Sequence, residues 1–228
     1  MYSDIAIPTF VINLKERKDR LNHTLSQFKN KPEFDLQVVE ACTHSIGAVG
    51  LWNSIVKIIQ SVQSSDDDLI IVCEDDHTFT EHYERDKLIQ NIIEAASQKV
   101  ELLSGGIGGF GNAVPISTNR YWVDWFWGTQ FIVLYRPIFK KILDFDFKDT
   151  DTADGVLSEL TSHKMVLYPF ISIQQDFGYS DVTRANDEIS GKIMQHFKDA
   201  NEKMNIYHQA YLKYLSMNPL RFSNFSAS

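Results

Sequence analysis

Two cysteines, Cys42 and Cys73, are all that this 228-residue chain contains, and Cys73 sits inside an apolar run. That is too few for a disulfide scaffold and fits a reduced compartment. Basic residues are also scarce. With 22 Lys and Arg against 30 Asp and Glu, the formal net charge is −8, so no broad basic face exists for nucleic acid to grip. Long apolar runs are missing too: no window approaches the roughly 18 residues that a membrane-crossing helix requires. The opening "MYSDIAIPTFVINLKERKDR" has no basic start followed by a long apolar stretch, so no signal peptide is expected. The chain therefore reads as cytoplasmic, either free or lying against the inner face of a membrane. It has no internal repeat and no low-complexity linker.

What the chain does have is enough apolar residue, 43%, to bury a core, and a length that suits one large domain or two small ones. Its first hundred residues alternate in type. "PTFVIN" (8–13) is a short β-branched apolar run and predicts a strand. Leu21, Leu25 and Phe28 then recur at helical spacing, with Asn13 and Glu16 placed to form a capping box. A second strand is expected over 34–41, and a helix opens at "GAVG" with Leu51, Ile55, Ile58, Ile59 and Val62 on one side. A third strand follows at 69–73 and a helix around 83–97. This βαβα order predicts a mostly parallel α/β sheet flanked by helices, with ligands beyond the carboxyl ends of its strands.

The second half is less regular. Strands are expected at "VELLS", on both sides of Gly128 in "YWVDWFWGTQFIVLY", and at "KMVLYPF". Helices are expected at "RPIFKKIL", with Pro137 in its first turn, and from Asp151–Asp154 onward. A long terminal helix carries the stripe Ile189, Ile193, Phe197, Ala200, Met204, Tyr207, Tyr211 and Leu215. The organisation predicted is one domain over 1–184 with a helical extension, 185–228, packed on it.

"LIIVCEDDHTF" (69–79) sets Glu74, Asp75 and Asp76 side by side at the tip of the third strand. Unit charges about 4 Å apart repel by roughly 1 kcal/mol in bulk water and about 4 kcal/mol near a protein surface, so a cation is expected to offset them. In an extended segment Glu74 and Asp76 share a face and Asp75 points the other way. Two such oxygen donors suit Mn²⁺ or Mg²⁺, and a metal there can neutralise a diphosphate leaving group. The bland reading is a solvated acidic turn. A phosphatase reading also exists, because "EDDHT" echoes D-x-D-x-T, but Glu74 is one methylene too long for the attacking aspartate.

Other segments carry weaker signals. "GGIGGFG" contains G-x-G-x-x-G at Gly106, Gly108 and Gly111, yet Pro115 and "ISTN" follow where a dinucleotide-binding helix must start, so a loop is expected. "KERKDR" places Arg17 and Arg20 three apart, on one helical face, where paired N–H donors can grip phosphate. The seven histidines show no metal-ligand spacing. His77, beside the acids, is read as a surface residue. Asp154, near a helix start, is either a cap or a general base. Trp122, Trp125, Phe126 and Trp127 are core by default, though exposed rings suit stacking on sugar or base faces.

Taken together, "FVINLKERKDR", "GAVGLWNSIVKI", "LIIVCEDDHTF", "GTQFIVLYRPIFKKIL" and "DTADGVLSEL…MVLYPFISIQQ" resemble, in order over residues 8 to 183, glycosyltransferase family 25, the lipooligosaccharide-type galactosyltransferases. The resemblance implies a GT-A-like fold, a nucleotide-sugar donor (most simply a UDP-sugar), a Mn²⁺ or Mg²⁺ ion, and inverting transfer to a hydroxyl of a glycan or glycolipid acceptor in lipopolysaccharide or surface-glycan synthesis. It makes Asp76 the metal ligand with Glu74, places Glu74 or Asp75 at metal or ribose, puts Arg17, Arg20 and Asn13 near the donor, and raises Asp154 as base. Asp176 and Asp181, in "DFGYSDVT", are further acid–base or acceptor candidates. The chain departs from the family where Ser54 is followed by Ile55 instead of histidine, and where Tyr135 and Arg136 replace a serine-containing turn. A non-catalytic nucleotide-sugar or carbohydrate-binding protein on the same scaffold is the competing reading.

Overall fold

The computed structural model describes residues 5–178 and 191–218. Asp181 and Ile189 lie outside them. The chain opens with β1 (Ile7–Asn13), α1 (Lys18–Phe28), β2 (Phe34–Glu40), α2 (Gly47–Ser61) and β3 (Leu69–Glu74), the alternation expected. After these come β4 (His77–Phe79), α3 (Arg85–Ser97), β5 (Leu102–Ser104), β6 (Ala113–Pro115), β7 (Arg120–Val123) and β8 (Phe131–Tyr135). The remainder is α4 (Arg136–Asp144), α5 (Ala153–Leu160), β9 (Lys164–Leu167), β10 (Ser172–Gln174) and α6 (Lys192–Met217).

Eight strands form one sheet in the order β2-β1-β3-β8-β5-β9-β7-β6, and β10 pairs with β4 beside it. β1 runs parallel to both β2 and β3, and β5 parallel to β9, while β8 is antiparallel to β3 and β5. β7 is antiparallel to both β9 and β6, so only β7 and β8 oppose the other six. The sheet is thus mostly parallel, as the sequence pattern predicts.

Burial on both faces explains the near-continuous apolar runs of β1, β3 and β8. Ile70, Val72, Ile132 and Leu134 meet α2, α4, α5 and α6 on one side of the sheet. Val11, Ile71, Cys73, Val133 and Tyr135 meet α1 and α3 on the other. Alternation along each strand sorts the residues between the two layers. α6 packs Phe197, Ala200 and Met204 inward, and Ala200 and Met204 join the core of the first layer. Among the described residues no helix is long and apolar enough to cross a membrane.

Four local expectations are corrected. α1 starts at Lys18 with Arg17 as its N-cap and no side-chain cap, so Asn13 and Glu16 form no capping box. Asn13 instead donates from its amide to the Arg17 carbonyl and to Asp75. Short β6 and β10 lie in stretches read as loop; each is three residues long, too short for a period of two to show. The break between β7 and β8 spans 124–130, not one glycine. His77 is fully buried, not at the surface.

Candidate functional site

Strand termini set the site's position. The carboxyl ends of β1, β2 and β3 and the turn leading into β8 meet at one edge of the sheet, around a cleft of about 760 Å³, within the size range of small-molecule sites. Glu74, Asp75 and Asp76 line it together with Arg17 and Arg20.

The triplet's repulsion is offset first by Arg20. One guanidinium nitrogen lies 2.6 Å from Asp75 Oδ1 and 2.8 Å from Asp76 Oδ2, with Arg20 itself only 5% exposed. Its guanidinium also lies 5.2 Å from the ring centre of Phe177. Asp75 and Asp76 therefore share one cation instead of facing opposite ways. The reason is that β3 ends at Glu74, and 75–76 form a turn into β4 where strand alternation no longer applies.

Each acid has its own support. Asp75 accepts from the Asn13 amide at 2.8 Å, and its carbonyl accepts from the Thr24 hydroxyl. The Thr129 hydroxyl donates to Glu74 at 2.6 Å. Asp76 Oδ2 is approached by the Gln174 amide at 3.4 Å, while Oδ1 is buried and, among the described residues, has no partner. The charge of Arg17 acts on Asp75 as well. Burial, then the charge of Asp76, pushes Glu74 up to about 8. Burial also raises Asp76 and Asp75, with Arg20 opposing both.

These carboxylates suit a divalent ion only in a particular way. Among the described residues no group of three or more His, Cys, Asp or Glu side chains is arranged to hold a metal. Two carboxylates plus phosphate and water is nonetheless how Mg²⁺ is commonly held. The orphaned Asp76 Oδ1 and neighbouring Glu74 provide that kind of donor set.

His77, next in sequence, serves the scaffold. Its Nδ1 pairs with Ser172 Oγ at 2.8 Å, and its ring packs among Phe28, Phe79 and Phe131. Burial, then the charges of His23 and Lys31, lowers it to about 3, so it stays neutral.

Asp154 lines the same cleft. The cap of α5 is Thr152, whose hydroxyl accepts from Gly155 N–H, so Asp154 is not the cap. Its Oδ1 accepts from Gly155 N–H at 2.8 Å and its Oδ2 from Gly128 N–H at 3.0 Å. Each carboxylate oxygen keeps a second lone pair. Asp176 behaves differently: its oxygens accept from Gly178 N–H and Gly191 N–H, bridging residues on either side of 179–190. It does not line the cleft, whereas Gln174, Gln175 and Phe177 do. In the motif Gly106, Gly108 and Gly111 no helix begins, and only Gly108 reaches the cleft.

Several residues at the site gave no usable signal in the sequence. Thr24, Thr129 and Gln174 are single polar residues whose role depends on which acid they meet. His196 and Phe197 show that α6 forms part of the cleft wall as well as packing on the core.

One consequence is a pH effect on stability. The folded state holds the Glu74 proton up to about pH 8, whereas the unfolded chain loses it near the ordinary value of 4.5. Stability is therefore greatest below that ordinary value and falls as pH rises through about 8. The expected fall between pH 5 and 8 is on the order of 2–4 kcal/mol. Glu74→Gln should flatten it. Metal-free denaturation curves across that range would refute the assignment if both proteins gave the same slope.

No family model matches this chain, and no curated protein sequence does either. Among solved structures, A197 from STIV superposes over 78% of this chain and 87% of its own, with TM-score 0.52 and 12% identity. Apo-UDP-glucose pyrophosphorylase covers 91% of this chain and 82% of its own at TM-score 0.45 and 10% identity. A glycosyltransferase involved in glycosylation of the major capsid of PBCV-1 covers 60% and 63% at TM-score 0.41 and 7% identity. The likeness to A197 is one of fold alone, and the other two are too distant to add to it.

Proposed function

We propose that this protein is a glycosyltransferase of the GT-A-like, family 25 kind, moving a sugar from a UDP-sugar to a hydroxyl of a glycan or glycolipid acceptor. The observation that carries the reading is the acid turn itself. Three crowded carboxylates, one orphaned oxygen and an arginine pair line a cleft of about 760 Å³ at the carboxyl ends of parallel strands. An acceptor of the lipopolysaccharide or surface-glycan class follows from the sequence resemblance.

In this reading Asp76 and Glu74 hold a Mn²⁺ or Mg²⁺ ion, which when bound supplies Lewis-acid neutralisation of the diphosphate. Arg20 keeps Asp75 and Asp76 in place, and Arg17, at the N-cap of α1, faces the donor phosphates or ribose. Asp154, fixed by two backbone N–H donors, takes the proton from the acceptor hydroxyl. Asp176 accepts from the Gly178 and Gly191 N–H groups and is left out of the chemistry. The phosphatase reading stays disfavoured because Glu74 is one methylene longer than the attacking aspartate of that pattern.

The test is calorimetric titration with UDP, with and without Mn²⁺, on wild type and Asp76→Asn. Binding should require the metal, and the variant should weaken it about 10- to 100-fold, the loss of one charge-assisted contact. Equal affinity in EDTA and in the variant would remove the metal-assisted reading. UDP release from UDP-glucose or UDP-galactose then separates an enzyme from a binding module, which would hold donor without turnover.

A further inference from the structure

The cleft also carries an aromatic surface that the acid turn does not account for. Trp127 lines the cleft and is 51% exposed, whereas Phe126 beside it is 1% exposed. Leaving half an indole in water forgoes hydrophobic stabilisation that the fold collects from Phe126. An exposed aromatic facing a concave surface points to an apolar partner.

The backbone carrying the ring is also tied down. The main-chain N–H of Trp127 donates to the Gly109 carbonyl at 3.1 Å, and its main-chain carbonyl accepts from Gly108 N–H at 2.8 Å. The indole lies against Gly109 so closely that a Cβ there would come within 2.6 Å of it. Trp125 and His196 flank it, with ring centres 5.1 and 5.7 Å away. The next residue, Gly128, sits at φ +99° and donates its N–H to Asp154 at 3.0 Å. Trp127 and the Asp154 carboxylate are therefore joined through a single peptide unit.

We infer that Trp127 is a stacking platform for a pyranose ring, the acceptor sugar in the glycosyltransferase reading on which this inference rests. One face of a pyranose is a patch of C–H groups that packs on an indole, while its hydroxyls lie at the rim. A ring seated there presents hydroxyls beside the carboxylate that Gly128 holds. Preorganisation of the indole limits the ordering cost of binding a weak, flexible ligand. His196 makes the C-terminal helix part of this subsite, which assigns α6 a part in acceptor choice.

Saturation-transfer NMR with methyl α- and β-glycosides of galactose, glucose and mannose tests this, run with wild type, Trp127→Ala and Trp127→Phe. UDP titration with Mn²⁺ accompanies each. The expected result is signal on ring C–H protons of at least one glycoside in wild type, reduced at least fivefold in Trp127→Ala and partly retained in Trp127→Phe. UDP affinity should stay within twofold throughout. Retention of ring in the phenylalanine variant separates loss of the platform from loss of the fold. Undiminished glycoside signal in Trp127→Ala overturns the platform, as does absence of signal from wild type. Weakened UDP binding in that variant makes the indole part of the donor site and overturns the acceptor assignment. Tryptophan-dependent glycoside binding in a wild type that ignores UDP would leave the platform standing and remove the glycosyltransferase reading.

Discussion

Replacing Arg20 with alanine is expected to destabilise the protein by about 3–5 kcal/mol, the cost of stripping a buried carboxylate pair of its cation. At roughly 2–4 °C per kcal/mol for a domain of this size, the melting temperature should drop by about 6–20 °C. Asp75 and Asp76 are 5% and 7% exposed, so water cannot replace the guanidinium. Arg20→Lys keeps the charge but loses the guanidinium plane beside Phe177 and its weaker hydration, so it should fall between the two. Acid should narrow the gap. Protonating the carboxylates removes the penalty, so wild type and Arg20→Ala should converge as pH falls towards 4. Calorimetric melts at pH 8 and pH 4 check both statements, and a variant melting within about 2 °C of wild type at pH 8 would contradict them.

The second large effect is expected at Gly106. A Cβ built there would stand 1.9 Å from the main-chain oxygen of Ser172, a distance no side-chain rearrangement can relieve. The Gly106 carbonyl also accepts from Ser104 Oγ and from the Gln130 amide, each at 2.8 Å, so the segment has no freedom to retreat. Gly106→Ala should cost roughly 3 kcal/mol or more. Its effect should extend to the acid turn, since Ser172 Oγ pairs with His77 and Ser172 itself is matched to Phe79 across β10 and β4. Gly108→Ala is the control. The nearest atom to its Cβ would be 3.6 Å away, ordinary contact, and its cost should stay below about 1 kcal/mol. Equal behaviour of the two alanines in urea unfolding would refute the steric account. Of the glycines in G-x-G-x-x-G, Gly106 thus serves the packing of β10.

The first five elements were legible because each is long enough for its period to repeat and the type of period switches between neighbours. β3 announced itself by its apolar run, and the acids marked its end by charge alone. Arg20 was legible as a partner only through its spacing from Arg17; that it binds two aspartates depends on where β3 stops. The three-residue strands β4, β6 and β10 offer no repeat, and their pairing is set by neighbours distant in sequence. Burial of His77 could not be inferred, because beside three acids a histidine has every local reason to face water. What excludes water is a ring cluster from α1, β4 and β8. Trp127 failed in the opposite direction: in an aromatic cluster the default is the interior, and Gly109 turns this one ring outward against its own backbone.

Because β8 runs against β3 and β5, the chain enters it at the same edge where β1, β2 and β3 end. The cleft's two banks are consequently contributed by separate lengths of polypeptide, one by residues up to 76 and the other chiefly by residues from 108 onward. Exchanging the 105–127 stretch between related chains would alter one bank while keeping Thr129 and Gln130, which bond to Glu74 on the other. Such an arrangement lets a scaffold vary one wall of its cavity while the other keeps its composition.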